Sequence, residues 1–228
     1  MPLEKLTIIG AGLLGGSIGL AARARDLAKR VSALVRRPES VAECQALGIA
    51  DEVTLDTAEA VGGADLVVLC TPISGMASLA KRILSHLKLD AVITDVGSTK
   101  RQVVTELTPL CAVANAHFVG SHPMAGSDQT GPSAARADLC DGAVCVVTPT
   151  DGTDAGALAM VNDFWADLGS QPVVMSADTH DRLVARCSHL PHLLASALTR
   201  RVLDPVYGEQ QAQLCATGFR DMTRLAAG

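Results

Sequence analysis

The chain has 228 residues, enough for one large domain or a medium domain with a small companion. Its 48% hydrophobic and 19% charged residues describe a well-packed soluble protein, and with 2% aromatics the core must be built from Ala, Val, Leu and Ile. A net charge of −5 without a basic, aromatic-interleaved stripe excludes a nucleic-acid footprint, and no apolar run approaches the roughly 20 residues that span a bilayer. An anionic substrate would therefore be met by local arginines rather than by a global field. The seven cysteines form no CxxC pair and several lie in apolar runs, the pattern of reduced thiols in a cytoplasmic protein. No signal-peptide architecture precedes the first strand-like run.

Residues 5–9 are β-prone and lead at once into Gly10-Ala11-Gly12-Leu13-Leu14-Gly15-Gly16-Ser17, with a helical pattern continuing to about Arg25. Strand, GxGxxG, then helix is the context a dinucleotide fingerprint requires. Gly10 permits the tight turn, Gly12 lets the backbone approach a pyrophosphate, and Gly15 allows close packing. Leu13 and Leu14 open the helix, whose free N–H groups and positive dipole end suit phosphates. A Gly-rich turn that only packs is the bland alternative. The second strand, Val31 to Val35, ends in Arg36 and Arg37 where an NAD site usually places Asp or Glu; two arginines suit a 2′-phosphate and so NADP, with NAD as the other option and a solvated basic loop as the plain reading.

Alternation continues. A helix from about Glu39 to Leu47, a strand at 52–54, a helical turn near Ala58 and a continuous apolar strand from Leu66 to Cys70 are expected, the last ending in Thr71-Pro72 beside the nicotinamide end. A helix follows over about 74–87, then a strand at Val92 to Asp95, the loop carrying Ser98, and a helix to about Leu107. The apolar run Val113 to Val119 predicts a strand that exits into the turn Ser121-His122-Pro123-Met124-Ala125-Gly126, where Pro123 holds His122 in an extended or turn geometry. Strands at 143–147 and 173–175 flank a helix over 155–168. The fold class expected is α/β, a Rossmann-type doubly wound, mostly parallel sheet followed by a small all-α segment. The boundary falls at residues 1–176 and 177–228, where strand-like runs cease and Asp178 can cap a helix. Leucines 183, 190, 194 and 198 recur near a helical spacing there, with Pro191 expected to kink the helix.

Candidate chemistry lies at Ser98 and His122, both after strands, and at Ser188-His189-Leu190-Pro191-His192 and Gly218-Phe219-Arg220-Asp221-Met222-Thr223-Arg224. His189 and His192 share a helix face but lack the spacing and carboxylate of a helical metal pair, so no metal is expected. Polar packing is their plain reading. Arg220 and Arg224 can clamp a carboxylate, or merely charge a terminal helix.

Taken in order, GAGLLGGS, VGSTK, GSHPMAG, SHLPH and GFRDMTR resemble the prephenate and arogenate dehydrogenases of tyrosine biosynthesis over essentially the whole length. The resemblance implies oxidative decarboxylation of a cyclohexadienol. It implies His122 as the group that deprotonates the ring hydroxyl and Ser98 as its companion, with His192 and Arg224 on the substrate carboxylates and His189 shaping the pocket. Asp128 stands where relatives often carry Glu, placed to meet an ammonium or to pair with Arg224. Family members usually continue into further helices that build a homodimer, and this chain stops at Gly228. Two other readings are a non-catalytic NADP-sensing module and a related β-hydroxyacid dehydrogenase or imine reductase.

Overall fold

The computed structural model describes residues 2–204 and 206–227. They form two compact units, one of residues 2–126 and 130–180, the other of residues 127–129, 181–204 and 206–227.

The first unit opens with β1 (Leu6–Ile9), α1 (Leu13–Ala24), β2 (Val31–Leu34), α2 (Pro38–Ala46), β3 (Glu52–Thr54), α3 (Thr57–Val61), β4 (Leu66–Leu69), α4 (Ile73–Ile83), β5 (Val92–Asp95), α5 (Arg101–Val113) and β6 (His117–Phe118). These strands make a parallel sheet in the order β3-β2-β1-β4-β5-β6. The central strands β1, β2, β4 and β5 are buried at every position because both faces are covered, and β4 is apolar throughout. Alternation along them divides the core. Leu6, Ile8, Leu66 and Val68 face one cluster, which includes Ile18 and Trp165; Ile9, Val67 and Leu69 face the other, with Met76 and Leu107.

Strand order reverses between β1 and β4, so the turns after these two strands diverge and leave a crevice at their carboxyl ends. The expected helix limit at Leu107 is wrong, and so is the strand expected from Val113. α5 runs on to Val113 through Pro109, because Val103, Val104, Leu107 and Cys111 form a buried stripe that outweighs one missing backbone donor. Pro109 and Thr105, whose carbonyl that donor would have met, both lie on the exposed face. Asn115, at φ +52°, then closes the helix as Ala116 N–H reaches Cys111 O at 3.0 Å.

The remainder of this unit contains β7 (Gly120–Pro123), β8 (Val144–Thr148), α6 (Ala155–Asp167), β9 (Gln171–Val174) and the start of α7 (Ala177–Val184). β7 pairs antiparallel with β8 and β8 parallel with β9, in a separate three-stranded sheet. The segment expected as one strand and a turn is thus split between two sheets. Val119 N–H still donates to Ile93 O beside β5, whereas Gly120 already pairs with Thr148. Gly120 makes the transfer possible: a Cβ there would lie 2.6 Å from Thr148 Oγ1. His122 consequently sits within a strand and not in a turn. Met124 N–H donates to Val144 O, so by alternation Pro123, opposite Cys145, occupies a non-hydrogen-bonded place on an edge strand and costs the ladder nothing. The cap of α7 is also corrected: Ser176 Oγ, not Asp178, accepts from Thr179 N–H, and Asp178 pairs with Arg101 at 2.6 Å.

In the second unit a π-helical turn at Ala185–His189 precedes α8 (Leu190–Val202), followed by α9 (Gly208–Leu214) and α10 (Thr217–Thr223). The expected kink is therefore a π-turn, which absorbs the donor missing at Pro191. Leu190, Leu193 and Leu194 are exposed on this unit, and Ala195 is buried. Among the described residues no helix is long and apolar enough to cross a membrane.

Candidate active site and cofactor cleft

A cleft of about 700 Å³ opens over the carboxyl ends of β1, β2 and β4. Gly10, Gly12, Arg36, Arg37, Thr71 and Pro72 line it. Gly10 has φ +94°, and a Cβ there would lie 2.6 Å from Cys70 O, so both backbone sign and space demand glycine. A Cβ on Gly12 would meet nothing within 4 Å, which leaves the backbone open to the cleft. Gly12 is the N-cap of α1 and supplies no capping side chain, so the first-turn N–H groups are available to an anion. Thr71 Oγ1 is buried, and among the described residues nothing hydrogen-bonds it. An orphaned hydroxyl, uncapped helix donors and a bare glycine wall fit a bound dinucleotide.

Not every residue of the fingerprint touches the cleft. Leu13, Leu14 and Gly15 stand behind its wall, and a Cβ on Gly15 would lie 2.0 Å from Gly10 O. Gly15→Ala is therefore expected to cost about 1–3 kcal/mol by forced overpacking and to lower the thermal midpoint by about 3–10 °C, read by a melting curve. A melt unchanged within 1 °C (about 0.3 kcal/mol) would show that the turn yields freely. Ser40 and Arg82 also line the cleft, although neither is marked by the fingerprint. Arg82 comes from α4, and only the tertiary fold brings it beside Arg36 and Arg37. No Asp or Glu is among the described residues of the lining. Cys70 lies there too, its thiol pushed well above the usual range by burial and then by the charge of Asp95, so it is neutral.

Ser98 and His122 are held through one buried carboxylate. Asp95 ends β5, and its Oδ2 accepts from Gly97 N–H at 2.7 Å, while Oδ1 accepts from Ser121 N–H at 3.1 Å. The residues immediately following those donors are Ser98 and His122. Lys100 Nζ pairs with Asp95 and also donates to Ser121 O at 2.7 Å. Ser121 Oγ donates to Asp95 O at 2.6 Å and accepts from Trp165 Nε1 at 2.9 Å. Asp95, Lys100, Ser121 and Trp165 are all fully buried. The exposed Ser98 and half-buried His122 thus project from a rigid polar knot. Asp95 and Lys100 lie on either side of Ser98 in sequence, but nothing in the local pattern shows that a lysine five residues beyond a strand end turns inward.

Nδ1 of His122 lies 2.9 Å from Nε2 of His180, in α7. The sequence reading missed His180, because Thr179-His180-Asp181-Arg182 reads as a solvated helix turn.

The remaining candidates belong to the second unit. His192 Nδ1 donates to Ser188 O, four residues back in the chain, at 2.8 Å. His189, His192, Arg220 and Arg224 have exposed side chains. Asp128 accepts from Ser127 Oγ at 3.1 Å.

A parallel sheet with a glycine-walled cleft at its switch point and a histidine on a buried polar knot defines a dinucleotide-dependent dehydrogenase. Comparison with known proteins specifies it further. Residues 18–174 match the family model described as prephenate dehydrogenase, nucleotide-binding domain, and residues 176–228 match prephenate dehydrogenase, dimerization domain. The chain belongs to the prephenate dehydrogenase family. It is 36% identical to the cyclohexadienyl dehydrogenase of Zymomonas mobilis over 98% of this chain and 76% of that one. Against the prephenate dehydrogenase of Bacillus subtilis it is 31% identical, over 98% of this chain but only 61% of the relative. The crystal structure of prephenate dehydrogenase from A. aeolicus, in complex with hydroxyphenyl propionate and NAD+, superposes with a TM-score of 0.90 at 30% identity, covering 100% of this chain and 79% of that one. The protein is an NAD(P)-dependent dehydrogenase of the family that serves tyrosine biosynthesis by oxidative decarboxylation.

Proposed function

We propose that this chain oxidatively decarboxylates prephenate, arogenate or both, with His122 as general base and NADP as the preferred cofactor. The observation that carries the chemistry is the single Asp95 carboxylate that orients both the Ser98 loop and the His122 strand. A dinucleotide bound in the cleft would supply the acceptor for the hydride on the carbinol carbon of the substrate. His122 takes the hydroxyl proton as the carbonyl forms, with Ser98 as a second hydrogen-bonding partner. Departure of CO2 restores ring aromaticity, so the proton is the one group that the protein must remove. Orientation supplies much of the remaining acceleration.

The substrate carboxylates are assigned to His192 and Arg224, with Arg220, His189 and Asp128 around them. The bond from Nδ1 of His192 to Ser188 O orients the ring and leaves its Nε2 edge to meet the substrate. Exposed Leu190, Leu193 and Leu194, in the segment matched by a dimerization model, support a homodimer.

The preference for NADP rests on Arg36, Arg37 and Arg82 in a cleft that has no Asp or Glu among the described residues of its lining. Changing Arg36 and Arg37 together to Ala is expected to raise KM for NADP by about 10–100-fold, the loss of one or two charge-assisted bonds. KM for NAD should move by less than about 3-fold, a few tenths of a kcal/mol. Equal effects on both would mean that these arginines do not read the 2′-phosphate. The function itself is tested by reduced-cofactor absorbance with prephenate and with arogenate, each with NAD and NADP. Turnover with NADP and either acid is expected; a folded, NADP-binding protein silent with both would overturn the reading.

A further inference from the structure

The His180 ring is fully buried, its centroid 5.1 Å from that of His122 and its plane inclined at 74°. With His122 read as the base, we propose that His180 is the positioning residue that holds His122 in the tautomer able to accept a proton at Nε2.

One proton lies between two ring nitrogens 2.9 Å apart. If His180 owns it, neutral His122 must carry its own proton on Nε2, and there it can only donate to a substrate hydroxyl. If His122 owns it, Nε2 of His122 presents a lone pair and is the base. The second arrangement requires His180 to accept at Nε2 and to keep its proton on Nδ1. Catalysis selects this arrangement, because proton transfer to Nε2 of His122 turns the Nδ1–H bond to His180 into a charge-assisted one. The role is that of the orienting carboxylate in a hydrolase triad, performed by a neutral acceptor. The position of His180 is itself fixed: its backbone N–H donates to Ser176 O at 2.9 Å in a turn that the Ser176 side chain caps. His122 is fixed from the other side by its strand, where it pairs with Val146. Two anchored backbones therefore leave the rings little freedom to separate.

The test compares His180→Leu, which keeps bulk without an acceptor, with His180→Gln, whose amide oxygen reaches the position of Nε2. His180→Leu is expected to lower kcat at least about 10-fold with KM little changed, and His180→Gln to recover most of it. Ring nitrogen-15 spectra of the full-length protein should show His122 protonated on Nδ1 in the wild type and shifted toward the Nε2–H form in His180→Leu. Equal kcat in wild type and His180→Leu, equal impairment of both variants, or a wild-type His122 protonated on Nε2 would overturn the inference. The wild-type spectrum needs neither turnover nor the variant and so stands if His180→Leu is unstable. Failure of the base assignment shows separately, as normal turnover in His122→Asn.

Discussion

Replacing His122 by Asn is expected to lower kcat by at least about 100-fold, the scale of a lost general base, while NADP binding stays within about 2-fold. Asn offers a hydrogen-bonding amide from the same strand position but cannot take a proton, so substrate orientation is largely retained and only the proton acceptor is lost. Steady-state kinetics with cofactor titration separate the two effects: kcat falls and cofactor affinity does not. The cleft residues explain the insensitivity of binding, because the lining does not include His122. Near-normal turnover in this variant would remove His122 from the mechanism and shift attention to Ser98.

The second large effect is on stability. Lys100→Met is expected to destabilise the sheet unit by about 3–5 kcal/mol, because it leaves the Asp95 carboxylate buried without its cation. Against a total of about 5–15 kcal/mol this approaches unfolding. Adding Asp95→Asn to Lys100→Met should recover much of the loss, since removing both charges removes the unpaired one. Trp165 is the single tryptophan, is fully buried and donates to Ser121 Oγ, so its fluorescence in a urea titration reports on this unit directly. A Lys100→Met midpoint equal to that of the wild type would mean that the pair does not hold the β5–β7 junction. The same titration followed by kinetics in mild conditions should show reduced kcat in the double variant, because Ser121 loses its bond from Lys100.

Much of the architecture was legible because it is written in local patterns. A continuous apolar run at Leu66–Leu69 marks a strand covered on both faces, a β-prone run up to Ile9 marks another, and a glycine turn between β1 and α1 marks the cleft. Arg36 and Arg37 follow a strand end and line the cleft. The misreadings arise where burial elsewhere overrides a local signal. Pro109 lies inside a helix because four buried side chains on the other face hold it there. The run up to Val119 splits between two sheets because Gly120 allows Thr148 to approach. Neither event has a signature within a few residues.

Local sequence by itself determined the turn geometry at Gly10, the uncapped start of α1 and the basic edge of β2, since each depends on backbone sterics or on residues adjacent in the chain. Tertiary structure alone decided that Lys100 turns inward to Asp95, that Arg82 joins the two arginines, and that His180 meets His122 across 58 residues. These are pairings of groups distant in sequence or hidden by burial. A polar side chain declares no partner until the chain has closed around it, and the cost of burying it unpaired then fixes which partner it must have.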